Sequence, residues 1–312
     1  MLGIAQLINE AWAYESNNDH EVALRLYKTA FNNILDINSQ VNSPATNVLA
    51  GVSPFEIRSV ADYLNHRTCY IQFILNHPRE AITQFKKYID TFKQHTKSPE
   101  YAFEHSAWLS QQYLMFADLF HQAVTNGTKA SRTQHPGLYY YEAAMQMIER
   151  RKNITEYTND EIRSSQMPVT NELLKMITTP NFASFLRLCG WVCIEPDVGP
   201  PVAPTSQVQP RKPIEPIDYS EIIIRALYKS IEYFEEWSRL RMQTYLSVLI
   251  ADEYANSHDL LKAVALYNRS LASYEKENWT PLVNHIKERI STIGEVKKLT
   301  RATTNDEVSG PK

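Results

Sequence analysis

Apolar and polar positions alternate most regularly between Tyr245 and Tyr274, YLSVLIADEYANSHDLLKAVALYNRSLASY. Leu260, Val264, Tyr267 and Leu271 recur at helical spacing and share one face of a predicted helix. A second amphipathic stretch precedes it and ends at Asn256-Ser257-His258-Asp259. Asp259 is placed to cap the following helix, because its side chain can accept a free backbone N–H there. Ala251 and Ala263 are small where two folded-back helices must approach, and Tyr267 follows one turn later to fill the groove. The stretch predicts a helical hairpin.

The same spacing returns near the start of the chain. Tyr14, Ala23, Tyr27 and Ala30 are nine, four and three residues apart, as are Tyr254, Ala263, Tyr267 and Ser270. Ala11 and Ala251 each stand three residues before the leading Tyr. A weaker copy runs Cys69, Gln72, Ala81, Phe85 and Tyr88, without the leading Tyr. One hairpin buries too little surface by itself, so repeated hairpins must stack to share a core. The expected fold class is all-α, an α-solenoid of tetratricopeptide-like helical hairpins.

Taken in order, residues 2–15 and 20–37 read as the first hairpin, and 55–76 with 79–95 as the second. Ser53-Pro54 is a helix start, since Pro suits the first helical position. A helix over 99–124 follows and stops at Asn126-Gly127. Another opens at His135-Pro136-Gly137, where Tyr140, Ala144 and Ile148 form one stripe and Tyr139, Ala143 and Met147 a second. Two apolar stripes predict a helix covered on two sides. Short helices are expected near 158–165 and 169–190.

Pro196, Pro200, Pro201, Pro204, Pro210, Pro213 and Pro216 then crowd a segment with few other apolar residues, the composition of an extended linker. Protease is expected to cut there first among the internal segments. Helical pattern resumes at Tyr219, with Glu235 and Arg239 as an i, i+4 pair on its outer side. The last helix is expected from Pro281 to about Lys298. The predicted organisation is an N-terminal hairpin array over 1–193, a Pro-rich linker over 194–218, C-terminal hairpins over 219–299 and a disordered tail over 300–312.

Composition narrows the function. The 312 residues are 43% hydrophobic with only 8 Gly, which suits helices and argues against glycine-loop enzymes. A net charge of −3 gives no general attraction to nucleic acid or anionic membrane. The three cysteines, Cys69, Cys189 and Cys193, make no disulfide framework, and a reducing compartment is expected. Met1 leads straight into a polar helix with no leader pattern, and no apolar run is long enough to span a bilayer. The chain reads as cytosolic.

Catalytic patterns are missing from the sequence. It has no HExxH, GxSxG, GxGxxG or GxxxxGK[ST], and its nine His are scattered. Cys189, between Leu188 and Trp191, reads as a small buried hydrophobe. Its 18 Tyr fall at helix-packing spacing and are not interleaved with basic residues, as an RNA platform would require. Arg150-Arg151-Lys152 closes a helix, where cations suit the negative pole. No catalytic residue, cofactor or metal site is expected.

The HPGLYYYEAA stretch, closing on Glu149-Arg150-Arg151-Lys152, resembles the signature of the foie gras domain. That domain belongs to subunit 11 of the TRAPP vesicle-tethering complex. The likeness continues through Tyr219 to Ile224, Arg241-Met242, Glu253-Tyr254, Lys262 to Leu266, and Glu277 to Leu282. Two departures stand out. A Tyr-Gly-Gln-Arg-Ser-Trp-like run is reduced here to Trp191, and a paired Trp is here Trp279-Thr280. The full family proteins are longer on both sides, which implies a fragment or a reduced form.

The resemblance implies a non-catalytic scaffold in a tethering complex between endoplasmic reticulum and Golgi. It would be cytoplasmic, and peripheral at Golgi and intermediate membranes. Its partners would be other TRAPP-type subunits, with a Rab GTPase served only indirectly, and with no nucleic acid and no transmembrane segment. The residues implied for packing or an interface are His135, Pro136, Gly137, Tyr139, Tyr140, Ala143 and Ala144 in the signature. To these the resemblance adds Ser220, Glu221, Ile222, Ile223 and Ile224, with Tyr254, Ala263 and Trp279. The alternative is a stand-alone tetratricopeptide-like adaptor that binds peptide segments.

Overall fold

A computed structural model describes residues 1–41, 54–93, 102–154, 168–169, 171–189, 192–193, 218–236 and 238–308. The chain divides into two compact units, Met1–Ile217 and Asp218–Lys312. The predicted Pro-rich linker, apart from Asp218, and the predicted helix at 158–165 lie outside the described residues, as does Trp191.

The first unit contains α1 (Leu2–Ser16), α2 (His20–Val41), α3 (Pro54–Ile74), α4 (Pro78–Lys93), α5 (Ala102–Thr125) and α6 (Pro136–Ile154). It continues with β1 (Pro168–Val169), α7 (Asn171–Met176), α8 (Phe182–Leu188) and β2 (Val192–Cys193). The second unit contains α9 (Tyr219–Glu236), α10 (Leu240–Asn256), α11 (Leu260–Lys276) and α12 (Thr280–Val308). The described chain is thus helical apart from two short strands, which pair in parallel as Pro168 with Val192 and Val169 with Cys193.

The repeat spacing has a physical origin in the turns. Asn18, Asn76, Ser238, His258 and Asn278 all have left-handed backbone, with φ between 51° and 62°. Each lies four residues after Tyr14, Gln72, Phe234, Tyr254 and Tyr274 respectively. In four of these turns the next N–H reaches back to that residue's carbonyl: Asp19 to Tyr14 at 2.9 Å, His77 to Gln72 at 2.7 Å, Arg239 to Phe234 at 2.9 Å and Trp279 to Tyr274 at 3.0 Å. This closure occupies the last free carbonyls of one helix and reverses the chain in a few residues. Gly127, at φ 100°, does the same after α5, with Thr128 N–H on Ala123 O at 2.9 Å.

Asp19 and Asp259 then cap the second helix, accepting from Val22 N–H at 3.3 Å and Lys262 N–H at 3.2 Å. Burial follows the repeat except at its leading position, where Tyr14 is exposed and Tyr254 half-buried. Ala11, Ala23, Tyr27, Ala30, Cys69, Gln72, Ala81, Phe85, Tyr88, Ala251, Ala263, Tyr267 and Ser270 are all buried. Within each unit successive hairpins share faces: α3 packs on α2 and α5, and α10 on both α9 and α11.

Three boundaries differ from expectation. The helix expected over 169–190 is two helices, because Pro180 cannot continue α7 and the chain bends through Thr178 and Thr179. The helix from Tyr219 stops at Glu236, and Arg239 sits in the turn before α10, so Glu235 and Arg239 do not share a helix. The last helix does not end near Lys298 but runs to Val308, because no Gly or Pro intervenes before Gly310-Pro311.

Candidate functional site

The signature stretch lies at the start of α6. Ser131 and Gln134 exchange backbone bonds of 2.9 and 3.2 Å in a tight loop, and Pro136 takes the first helical position. His135, Pro136, Gly137, Tyr139, Tyr140, Ala143 and Ala144 are all buried. Tyr139 donates its hydroxyl to Gln134 Oε1 at 2.8 Å, and its ring meets Phe116 edge-on at 4.7 Å. Tyr140 donates to Asp118 Oδ1 at 2.6 Å on α5. Ser110 of α5 donates to the Ala143 carbonyl at 2.8 Å, a close approach that the small side chains of Ala143 and Ala144 permit. Burial raises the Tyr139 phenol above its ordinary range, so it remains a donor at neutral pH.

The named signature residues are therefore packed inside the first unit. Beside them is a groove of about 410 Å³, bordered by Leu138, Tyr139 and Glu142 of α6, Tyr113 of α5, and Ile89 and Lys93 of α4.

The second set of residues divides between packing and surface. Ile223 is buried, Ile222 and Ile224 are half-buried, and Glu221 is exposed in a pair with Arg225 at 2.7 Å. Asp218 caps α9 by accepting from Glu221 N–H at 3.0 Å. Ser220 donates to the buried Glu253 at 3.1 Å, tying α9 to α10. Ala263 is fully buried in a cluster with Ala251, Tyr267 and Ile286, against which Tyr254 packs. Lys262 lies 5.0 Å over the Tyr254 ring. Trp279 is 43% exposed, with Arg241 5.6 Å from its ring and bonded to Glu277 at 3.0 Å.

A buried polar cluster escaped the pattern reading. Asp62 of α3 is wholly buried and accepts from Tyr88 Oη, from Trp108 Nε1 at 3.1 Å and from Gln112 Nε2 at 3.3 Å. Arg58, one turn earlier, stacks 3.6 Å over the Trp108 ring and meets His105 Nδ1 at 3.2 Å. Burial and the Arg58 charge lower His105 to about 4, so it is neutral and can accept. The signal available was Asp62 itself, a carboxylate inside the apolar run Val60-Ala61-Asp62-Tyr63-Leu64. A second cluster joins Glu15 to Tyr27 at 3.0 Å and to Arg67. Burial lowers Arg67 to about 10, which leaves it charged beside Glu15 at neutral pH.

These clusters lock helices together. Cys69 and Cys189 are buried, and burial pushes both thiols up, away from the thiolate. Among the described residues no three His, Cys, Asp or Glu side chains are grouped to hold a metal ion. No described helix is long and apolar enough to cross a membrane.

Helical hairpins, several of them fastened by tyrosine–carboxylate bonds between helices, define an all-helical protein. The chain belongs to the Foie gras liver health family 1, which matches residues 54–292. It is similar to trafficking protein particle complex subunit 11 of Bos taurus and of Homo sapiens, at 31% identity over 283 residues. Subunit 11 of Gallus gallus matches over the same length at the same identity. The match takes in 88% of this chain and 23% of each relative, so the chain spans about a quarter of their length.

Proposed function

We propose that the chain is a non-catalytic scaffold subunit of a trafficking-particle-type tethering complex, acting in traffic between endoplasmic reticulum and Golgi. The observation that carries this reading is the match to subunit 11 over 88% of the chain. The helical architecture supports it. We read the hairpins as an α-solenoid, because repeated hairpins with equivalent turns and buried faces extend a core by stacking. Such a structure presents long surfaces to other subunits, with partners held by exposed faces and the signature holding those faces rigid. Exposed positions beside the signature and around Trp279 are the surfaces we assign to contact.

In this role the chain carries no reaction of its own, and a Rab GTPase is served only through other subunits. It works from the cytoplasmic side, peripheral at Golgi and intermediate membranes. Affinity purification of the tagged chain, with identification of its co-purifying proteins, tests the reading. Recovery of other trafficking-particle subunits is the expected result. Recovery of none of them would count against it.

A further inference from the structure

A second groove, of about 320 Å³, opens where the first two hairpins meet. It is lined by Lys28 of α2, Gln72 of α3, and Arg79, Glu80, Gln84 and Lys87 of α4. We propose that this groove binds an acidic peptide segment of a partner protein.

The first argument is charge. Three cations line the groove against one carboxylate, in a chain whose net charge is −3. None of Lys28, Arg79 and Lys87 forms an ion pair with a described residue. Elsewhere the exposed charges pair readily, as Lys262 does with Asp259, Lys287 with Glu275 and Arg225 with Glu221. Three unpaired cations converging on one concavity concentrate positive potential where an anionic side chain can enter.

The second argument is hydrogen bonding. Gln72 is 2% exposed, and its Oε1 has no partner. Gln84 Nε2 is likewise buried without one. A buried amide left unpaired is costly, and a ligand in the groove that drew both Gln72 and Gln84 outward would relieve that cost at two groups. One is an acceptor and the other a donor, which is the complement of a peptide unit's N–H and C=O once the terminal amides turn outward. Thr83 takes no part, because its hydroxyl donates to the Arg79 carbonyl of its own helix at 2.9 Å.

Sequence position adds a third. Gln72 stands where Tyr14 and Tyr254 stand in the other repeats, so this hairpin junction carries an amide in place of an aromatic ring. Nucleic acid would need a continuous basic stripe for its phosphates, whereas here the cations ring a pocket of side-chain size. The proposal extends beyond the tethering role and depends on no particular complex.

The test is fluorescence anisotropy with the full chain and a short fluorescein-labelled peptide of alternating Glu and Ser. Its Gln-for-Glu counterpart is the control. The Glu peptide is expected to bind with an affinity that falls as salt rises, and the Gln peptide not to bind. Lys28→Glu with Lys87→Glu should weaken binding roughly tenfold. Lys276→Glu, in the other unit, should leave it unchanged. Helical circular dichroism and melting of each variant establish folding, and Lys28→Gln with Lys87→Gln provides a milder version. Equal binding of the two peptides, indifference to the Lys28 and Lys87 changes, or equal loss with Lys276→Glu would overturn the proposal. Displacement of the peptide by inorganic phosphate at matched ionic strength would overturn it in favour of a small-oxyanion site.

Discussion

Tyr267 of α11 donates its hydroxyl to Asp252 of α10 across 2.5 Å, and its repeat counterpart, Tyr27 of α2, donates to Glu15 of α1, one turn further along the opposite helix, at 3.0 Å. In both hairpins the aromatic ring fills the interhelical groove while its polar tip fastens onto the opposite helix. The ring supplies burial and the hydroxyl fixes register, so neither Phe nor Leu is equivalent at this position. Tyr267→Phe should destabilise the second unit by about 1–2 kcal/mol, read from chemical denaturation, since Asp252 loses a donor while the packing is kept. An unchanged midpoint would mean that the ring alone holds the hairpin.

Ala263 is fully buried in the α10–α11 core. Ala263→Leu should overpack it and cost about 1–3 kcal/mol, seen as a lower melting temperature. A melting curve identical to that of the parent would remove close helix approach as the reason for the small residue.

Asp62→Leu should be the most damaging single change in the first unit, at about 3–5 kcal/mol. It leaves the Trp108, Gln112 and Tyr88 donors without their acceptor and the buried Arg58 without a counter-charge. Retention of normal stability would show that water replaces the carboxylate.

His66 is half-buried with its Nδ1 shut off from solvent, and burial lowers it to about 4. A folded pKa below the unfolded value of about 6.5 means that the unfolded chain binds more protons between those limits. Its contribution to stability is therefore complete above about pH 6.5 and lost as pH falls toward 4, by roughly 3 kcal/mol. His66→Leu should flatten that part of a stability–pH profile. A profile of unchanged slope would place the acid sensitivity elsewhere.

Ser238 adopts φ 51° without being glycine. Ser238→Gly should stabilise the α9–α10 hairpin by about 0.5–1 kcal/mol, relieving left-handed strain at a modest entropic cost. A fall in melting temperature would show that the Ser side chain contributes more than the strain takes away.

The hairpins were legible because one face of each helix is buried, which fixes Ala23, Tyr27, Ala263 and Tyr267 at helical spacing. The turns were legible where Asn meets Asp or Pro, as at Asn18-Asp19 and Asn76-His77-Pro78. The Ser238 turn was not, because Trp237-Ser238-Arg239 contains neither breaker and its left-handed residue is held by the Arg239-to-Phe234 bond. Asp62 was hidden for a related reason. Periodicity records which positions are inside, and it cannot tell a carboxylate with three donors from a misplaced charge. The signature showed its helix start plainly at His135-Pro136, whereas its partners, Asp118 and Ser110, lie on another helix.

We propose that this chain holds partners without catalysing a reaction. Size-exclusion chromatography of the purified chain mixed with purified trafficking-particle subunits tests it, with nucleotide exchange on a Rab GTPase followed in parallel for the chain alone. Co-elution with at least one subunit and no acceleration of exchange by the isolated chain are the expected results. Separate elution from every subunit, or exchange activity from the chain by itself, would contradict it.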